Sequence, residues 1–187
     1  MADQGSEGLL SPYLRRKRIQ AAAPYLTGRT LDFGCGSGAL AAQIDAGNYV
    51  GVEIDSLSLR LALKCFPKHA FVAKSPELSE KFDTVVSLAV IEHVKDSADF
   101  LRTLAAYMRE SPSSRIVVTT PHPSVDWVHH LGASIGLFSK HASEEHEALL
   151  DRSKLEAAGK QAGLDLIYYR RFLFGANQIA IYAKSAL

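Results

Sequence analysis

Three glycines fall within five residues, Gly34, Gly36 and Gly38, in the run Arg29-Thr-Leu-Asp-Phe-Gly-Cys-Gly-Ser-Gly-Ala-Leu40. Glycine loses more backbone entropy on folding than any other residue, so the cluster is expensive as mere scaffolding. It makes sense where the chain turns sharply, lets a ligand approach closely, and aims free N–H groups at it from a helix N-terminus. Glu53 stands 19 positions after Gly34, where a carboxylate reaches the ribose hydroxyls of an adenosine held on such a turn. A carboxylate accepting two hydroxyls is a strong bidentate contact. A second chemical cluster is Glu92-His93. Histidine has the right unperturbed pKa for proton transfer near neutral pH, and the adjacent carboxylate can hold it or an acceptor. The competing reading, that the pair only caps a loop, carries equal weight at this point. His146 is a third candidate base.

These residues need elements to position them. The pattern predicts strands over residues 30–33, 49–55, 69–73, 82–88 and 116–120, alternating with helices over 39–46, 57–65 and 97–109. Val85-Val-Ser-Leu-Ala-Val-Ile91 has the β-branched, apolar character of a central parallel strand buried on both faces. Asp55 is expected to cap the helix that follows it. A helix over residues 153–162, ended by Gly163, leads to a hairpin of strands 164–172 and 178–183. Ligands in open α/β sheets bind beyond the carboxyl ends of the strands. Residues 87–93, Leu88 among them, therefore belong beside the ligand.

Ahead of the glycine turn, Ser11-Pro12 opens a helix over residues 13–25 that carries Arg15-Arg-Lys-Arg18. A basic run of this kind can bind a phosphate backbone. The net charge of +1 favours instead a solvated helix face, with Leu14, Ile19 and Ala22 turned inward. Residues 124–146 read as an insertion over the same sheet edge, rich in His129, His130, His141, His146 and aromatics such as Trp127 and Phe138. His69 reads as structural.

At 187 residues the chain fits one domain with a real core: an N-terminal helix region to residue 28 and the insertion at 121–150 included. The two cysteines, Cys35 and Cys65, form neither a zinc spacing nor a disulfide framework. No apolar run reaches membrane-spanning length and no signal-type leader is seen, so a cytoplasmic protein is expected.

The run Leu31-Asp-Phe-Gly-Cys-Gly-Ser-Gly38 closely resembles motif I of class I S-adenosylmethionine (SAM)-dependent methyltransferases. Val52-Glu53, Phe82-Asp83, Glu92-His-Val94, Thr120-Pro121 and residues 163–184 extend the likeness to small bacterial methyltransferases of types 11, 12 and 23. Residues 171–177 resemble members acting on glycans or secondary metabolites. The resemblance implies a Rossmann-like, seven-stranded, mostly parallel sheet ending in an antiparallel hairpin, with helices on both faces. It implies SAM as cofactor, S-adenosylhomocysteine (SAH) as product, and contacts from Asp32, Gly34, Cys35, Gly36, Gly38, Glu53, Ile54, Ser75 and Leu88. The family often has an aspartate after the third strand to contact adenine. Lys74 and Ser75 stand here instead, which leaves that task to Ser75 or to backbone groups.

The expected reaction is methyl transfer to a small acceptor, first a sugar or metabolite hydroxyl, with Glu92, His93 and His146 as catalytic candidates. Some relatives bind a divalent ion through an E-x-x-E-H loop and, in small-RNA 2′-O-methyltransferases, a later histidine that His146 would match. Ala89 replaces the first glutamate, although His122 offers a substitute donor, so a metal and a nucleic-acid acceptor are the less favoured alternatives. A SAM-binding protein without turnover is a further alternative. An NAD-binding reading comes last, because Gly34, Gly36 and Ala39 also fit G-x-G-x-x-A but plain NAD domains generally lack the terminal hairpin.

Overall fold

A computed structural model describes residues 11–125 and 150–185. Seven strands form one sheet: β1 (Thr30–Phe33), β2 (Tyr49–Val52), β3 (Ala70–Val72), β4 (Thr84–Leu88), β5 (Arg115–Pro121), β6 (Leu164–Phe172) and β7 (Asn177–Lys184). Their order is β3-β2-β1-β4-β5-β7-β6. Every pairing from β3 to β5 is parallel, and β7 runs antiparallel to both β5 and β6. This is the expected Rossmann-like sheet with its antiparallel hairpin.

Period-2 alternation divides the apolar side chains between two cores. Val85, Ile116, Val118, Ala180 and Tyr182 face one way, and Val86, Val117, Ile179 and Ile181 face the other. The first set packs with α3 (Ser97–Ala105) and α4 (Arg152–Gln161), the second with α1 (Ser11–Ala22) and α2 (Ser56–Cys65). Helices thus cover both faces. Aspartates cap three of the helix starts: Asp55 accepts from Ser58 N at 2.8 Å, Asp96 from Ala98 N and Asp99 N at 2.9 Å, and Asp151 from Lys154 N at 2.9 Å. Each satisfies N–H groups that the helix itself leaves open.

The structure corrects three expected boundaries. Residues 39–46 are not an α-helix: a 3₁₀ segment, Ala39–Gln43, is followed by extended Ile44. The Ile44 N–H donates back to Ala41 O at 3.2 Å, which closes the segment as a 3₁₀ turn. Strand β2 stops at Val52, so Glu53 lies just past its carboxyl end. Helix α3 stops at Ala105 rather than Arg109, because Tyr107 O accepts from Phe82 N and Arg109 N donates to Phe82 O, both at 2.9 Å. Among the described residues no helix is long and apolar enough to cross a membrane.

Candidate active site

The three glycines have separate physical roles. A Cβ on Gly34 would stand 2.6 Å from Val90 Cγ2, and one on Gly38 would stand 2.8 Å from the Phe71 ring. At Gly36, with φ +54, a Cβ would meet nothing within 4 Å. The outer glycines are therefore demanded by the protein's own packing, whereas the middle one keeps an open cleft open. That cleft has a volume of ≈ 460 Å³ and is lined by Arg15, Arg18, Asp32, Gly36, Ser37 and Leu88, among others.

Four of the turn's N–H groups, those of Gly34, Cys35, Gly36 and Gly38, are already engaged within the protein. Gly34 N and Cys35 N both donate to Val52 O, at 2.9 and 3.0 Å, and Gly38 N donates to Cys35 O at 3.0 Å. Gly36 N donates to Glu53 Oε2 at 2.8 Å, and Asp55 N to Glu53 Oε1 at 2.8 Å. Two backbone groups thus fix the Glu53 carboxylate against the turn. Each oxygen accepts only one of them and retains capacity for a hydroxyl.

Beneath the turn, Asp32 is 2 % exposed and accepts a 2.7 Å hydrogen bond from Tyr49 Oη. Burial pushes its carboxyl up to about 7, the Tyr49 hydroxyl opposing and the Glu53 charge adding to the rise. Burial also pushes the Cys35 thiol well up, helped by the charges of Asp32 and Glu53. Cys35 is therefore a small buried packing group, not a thiolate nucleophile.

At the carboxyl end of β4 the chain reverses through Ala89, whose φ is +59 and whose N–H reaches Thr119 O at 2.8 Å. A 3₁₀ turn, Ile91–His93, follows. It buries Glu92 to 1 % exposure and leaves His93 exposed. Glu92 Oε2 has no hydrogen-bond partner among the described residues. A buried unpaired carboxylate oxygen is costly and calls for a partner or a role.

The basic helix departs from its expected role as a solvated face. Arg16 is exposed, but Arg15 and Arg18 turn into the cleft. Arg15 Nη1 donates to Ser37 Oγ at 3.1 Å, and Arg18 Nε to Asn177 Oδ1 at 2.9 Å. Burial lowers the Arg18 pKa while the charge of Glu92 raises it. The spacing contained a usable signal: Arg15, Arg18, Ile19 and Ala22 recur at i, i+3, i+4 and i+7, one helix face. Asn177 carried no comparable signal.

Of the other sequence candidates, Asp32, Gly34, Cys35, Gly36 and Leu88 line the cleft. Gly38 packs behind it against Phe71 and Ala62. Ile54 is 88 % exposed and Ser75 is exposed on its loop; neither is among the cleft-lining residues. His69 Nε2 lies 2.9 Å from Ile44 O, among the rings of Tyr49, Phe66 and Phe71, a structural setting. His122 Nδ1 accepts from Ser124 N at 3.0 Å. Burial, then the Arg171 charge, lowers its pKa, with Asp151 opposing. Among the described residues no three His, Cys, Asp or Glu side chains converge as a metal site. His146, Trp127, His129, His130, Phe138 and His141 lie outside the described residues.

A sequence-family model for a methyltransferase domain matches residues 9–169. The ubiquinone biosynthesis O-methyltransferase of Bordetella parapertussis is 26% identical over 168 residues, 81% of this chain and 68% of its own length. That of Paracidovorax citrulli is 27% identical over 176 residues, 84% of this chain and 71% of its own. In structure, the SAH-bound magnesium protoporphyrin IX methyltransferase of Synechocystis PCC 6803 superposes with a TM-score of 0.70 at 15% identity, covering 98% of this chain and 90% of that one. A glycine cleft with a carboxylate fixed at its β2 edge, inside this sheet and this family, leads to one conclusion: the chain belongs to the methyltransferase-domain family and is a class I SAM-dependent methyltransferase.

Proposed function

We propose that the chain methylates a hydroxyl oxygen of a small metabolite, with the cofactor over the β1 turn and the acceptor over the ends of β4, β5 and β7. The observation that carries the acceptor side is Glu92: a carboxylate 1 % exposed, with one oxygen unpartnered, just past the carboxyl end of the central strand. The names of the curated relatives support oxygen as the acceptor atom.

In this reading Glu53 takes the ribose hydroxyls on the lone pairs that Gly36 N and Asp55 N leave unused. Gly36 lets the cofactor approach the backbone, Leu88 gives it an apolar contact, and Asp32 faces its positive end from below. Gly34, Cys35 and Gly38 hold the shape of the turn, while Ile54 and Ser75 stand at the outer rim on the adenine side. When bound, SAM supplies an electrophilic methyl group on a sulfonium, and the displacement needs orientation more than covalent help. His93 removes the acceptor's hydroxyl proton, and Glu92 orients the acceptor by receiving a hydrogen bond. Solvent access at His93 gives the proton a route out.

The test is incubation with SAM carrying a ¹³C-labelled methyl group and a set of hydroxylated aromatic and sugar acceptors, read by NMR. The proposal expects a labelled methoxy signal in at least one product together with SAH. Label on nitrogen or carbon, or SAH binding without any transfer, would contradict it.

A further inference from the structure

The cleft holds more positive charge than the cofactor needs. Both Arg15 and Arg18 line it, and a SAM molecule carries a single carboxylate. The two guanidinium groups also sit over different parts of the sheet. Arg15 is bonded to Ser37 of the glycine turn, on the cofactor side. Arg18 is bonded through Nε to Asn177, the first residue of β7, which pairs with Pro121 at the carboxyl end of β5. Its other electrostatic neighbour is Glu92, after β4. Both anchors of Arg18 thus belong to the acceptor side.

Arg18 is held by a neutral side chain and makes no close ion pair among the described residues. Asn177 occupies Nε, and among the described residues the two terminal nitrogens of this cleft-lining side chain make no hydrogen bond. Asp32 lines the same cleft but its carboxyl titrates only near 7 and is bonded to Tyr49. A half-buried guanidinium presenting two forked N–H₂ groups is matched by a planar carboxylate, bound through two parallel hydrogen bonds.

We propose that Arg18, steadied by Asn177 and Glu92, recognises a carboxylate on the methyl acceptor, so that the acceptor is a small hydroxy acid. This rests on the methyltransferase reading above. The substrate would anchor its acid group on Arg18 and so direct its hydroxyl toward Glu92 and His93. Arg18 is then a specificity residue, and neutral hydroxy compounds of the same shape bind poorly.

Calorimetric titration separates this claim from the reading on which it rests. SAH is first titrated into the protein; absence of binding would overturn the methyltransferase reading itself. Into SAH-saturated protein, 3,4-dihydroxybenzoate and its amide, and glucuronate and its amide, are then titrated. At least one acid is expected to bind ten- to hundredfold more tightly than its amide, the range for a lost charged hydrogen bond. Arg18→Met should erase that preference and leave SAH affinity within threefold. Equal binding of acid and amide by the wild type, or binding of neither, overturns the inference without any variant. An Arg18→Met protein that loses SAH affinity tenfold and keeps the acid preference overturns it too, placing Arg18 on the cofactor's own carboxylate.

Discussion

In the reading proposed above, the cofactor half and the acceptor half of the site are built in different ways. Around the β1 turn, contacts come from residues close in sequence and largely from backbone: Gly34 N and Cys35 N on Val52 O, Gly36 N and Asp55 N on Glu53. Around the ends of β4, β5 and β7, contacts come from side chains far apart in the chain. Arg18 and Asn177, 159 positions apart, share one hydrogen bond, and Glu92 keeps an oxygen unpartnered. In the first half these backbone groups are already paired within the protein. The second keeps polar capacity unused, which the proposed reading assigns to a group of the acceptor. A common cofactor needs one fixed cradle, whereas each acceptor needs its own arrangement of side chains.

The sharpest way to break this contrast is to disable the acceptor half alone. His93→Gln should lower kcat by about 10²–10⁴, the usual contribution of a general base, with SAH affinity within threefold by calorimetry. Loss of SAH binding in that variant would merge the two halves. Within the cofactor half, Gly38→Ala and Gly36→Ala should fail differently. At Gly38 the methyl meets Phe71 and Ala62 at φ +78, so strain and overpacking should cost roughly 2–5 kcal/mol of stability in denaturant melts. At Gly36 only the φ strain of about 1–2 kcal/mol applies, but the methyl enters the cleft and SAH affinity should fall at least tenfold.

This division also explains what the sequence made legible. The glycine turn, Glu53 and the Asp55 cap lie within 25 residues of one another, so spacing alone carried their geometry. The strands and the closing hairpin were legible in apolar runs and turn residues, whereas the seven-stranded sheet came from the resemblance and its strand order only from the fold. Arg18 was misread although its spacing with Arg15, Ile19 and Ala22 put it on the inward helix face; its neighbours Asn177 and Glu92 are brought beside it only by the folded topology. The 3₁₀ segment after Gly38 was misread because the apolar residues Leu40 and Ala41 fit an α-helix equally well, and no helix-stop residue marks Ile44, where the chain turns extended.

Asp32 offers a pH test of the cofactor half. Its folded pKa of about 7 lies above the ordinary aspartate value near 3.9. The folded state therefore binds more protons than the unfolded state between those limits. The associated stability is present below about pH 4 and is lost as pH rises through about 7. Asp32→Asn should flatten that decline in melting temperature, and an unchanged slope would remove Asp32 as its source. A cofactor bearing positive charge above Asp32 favours the ionised form, so SAH affinity should rise from pH 5.5 to 8 in the wild type and not in the variant. The smallest expected effect is at Ala89, where glycine relieves the strain of φ +59. Ala89→Gly should raise stability by less than about 1 kcal/mol, because the gain is offset by glycine's greater entropy in the unfolded chain.

The most direct test of the two-part cleft is a calorimetric titration of SAH at pH 8 into wild type, Glu53→Gln and Glu92→Gln. One site is expected in the wild type, with a ten- to hundredfold loss in Glu53→Gln and affinity within threefold of wild type in Glu92→Gln. Equal losses in both variants, or full affinity in Glu53→Gln, would contradict it.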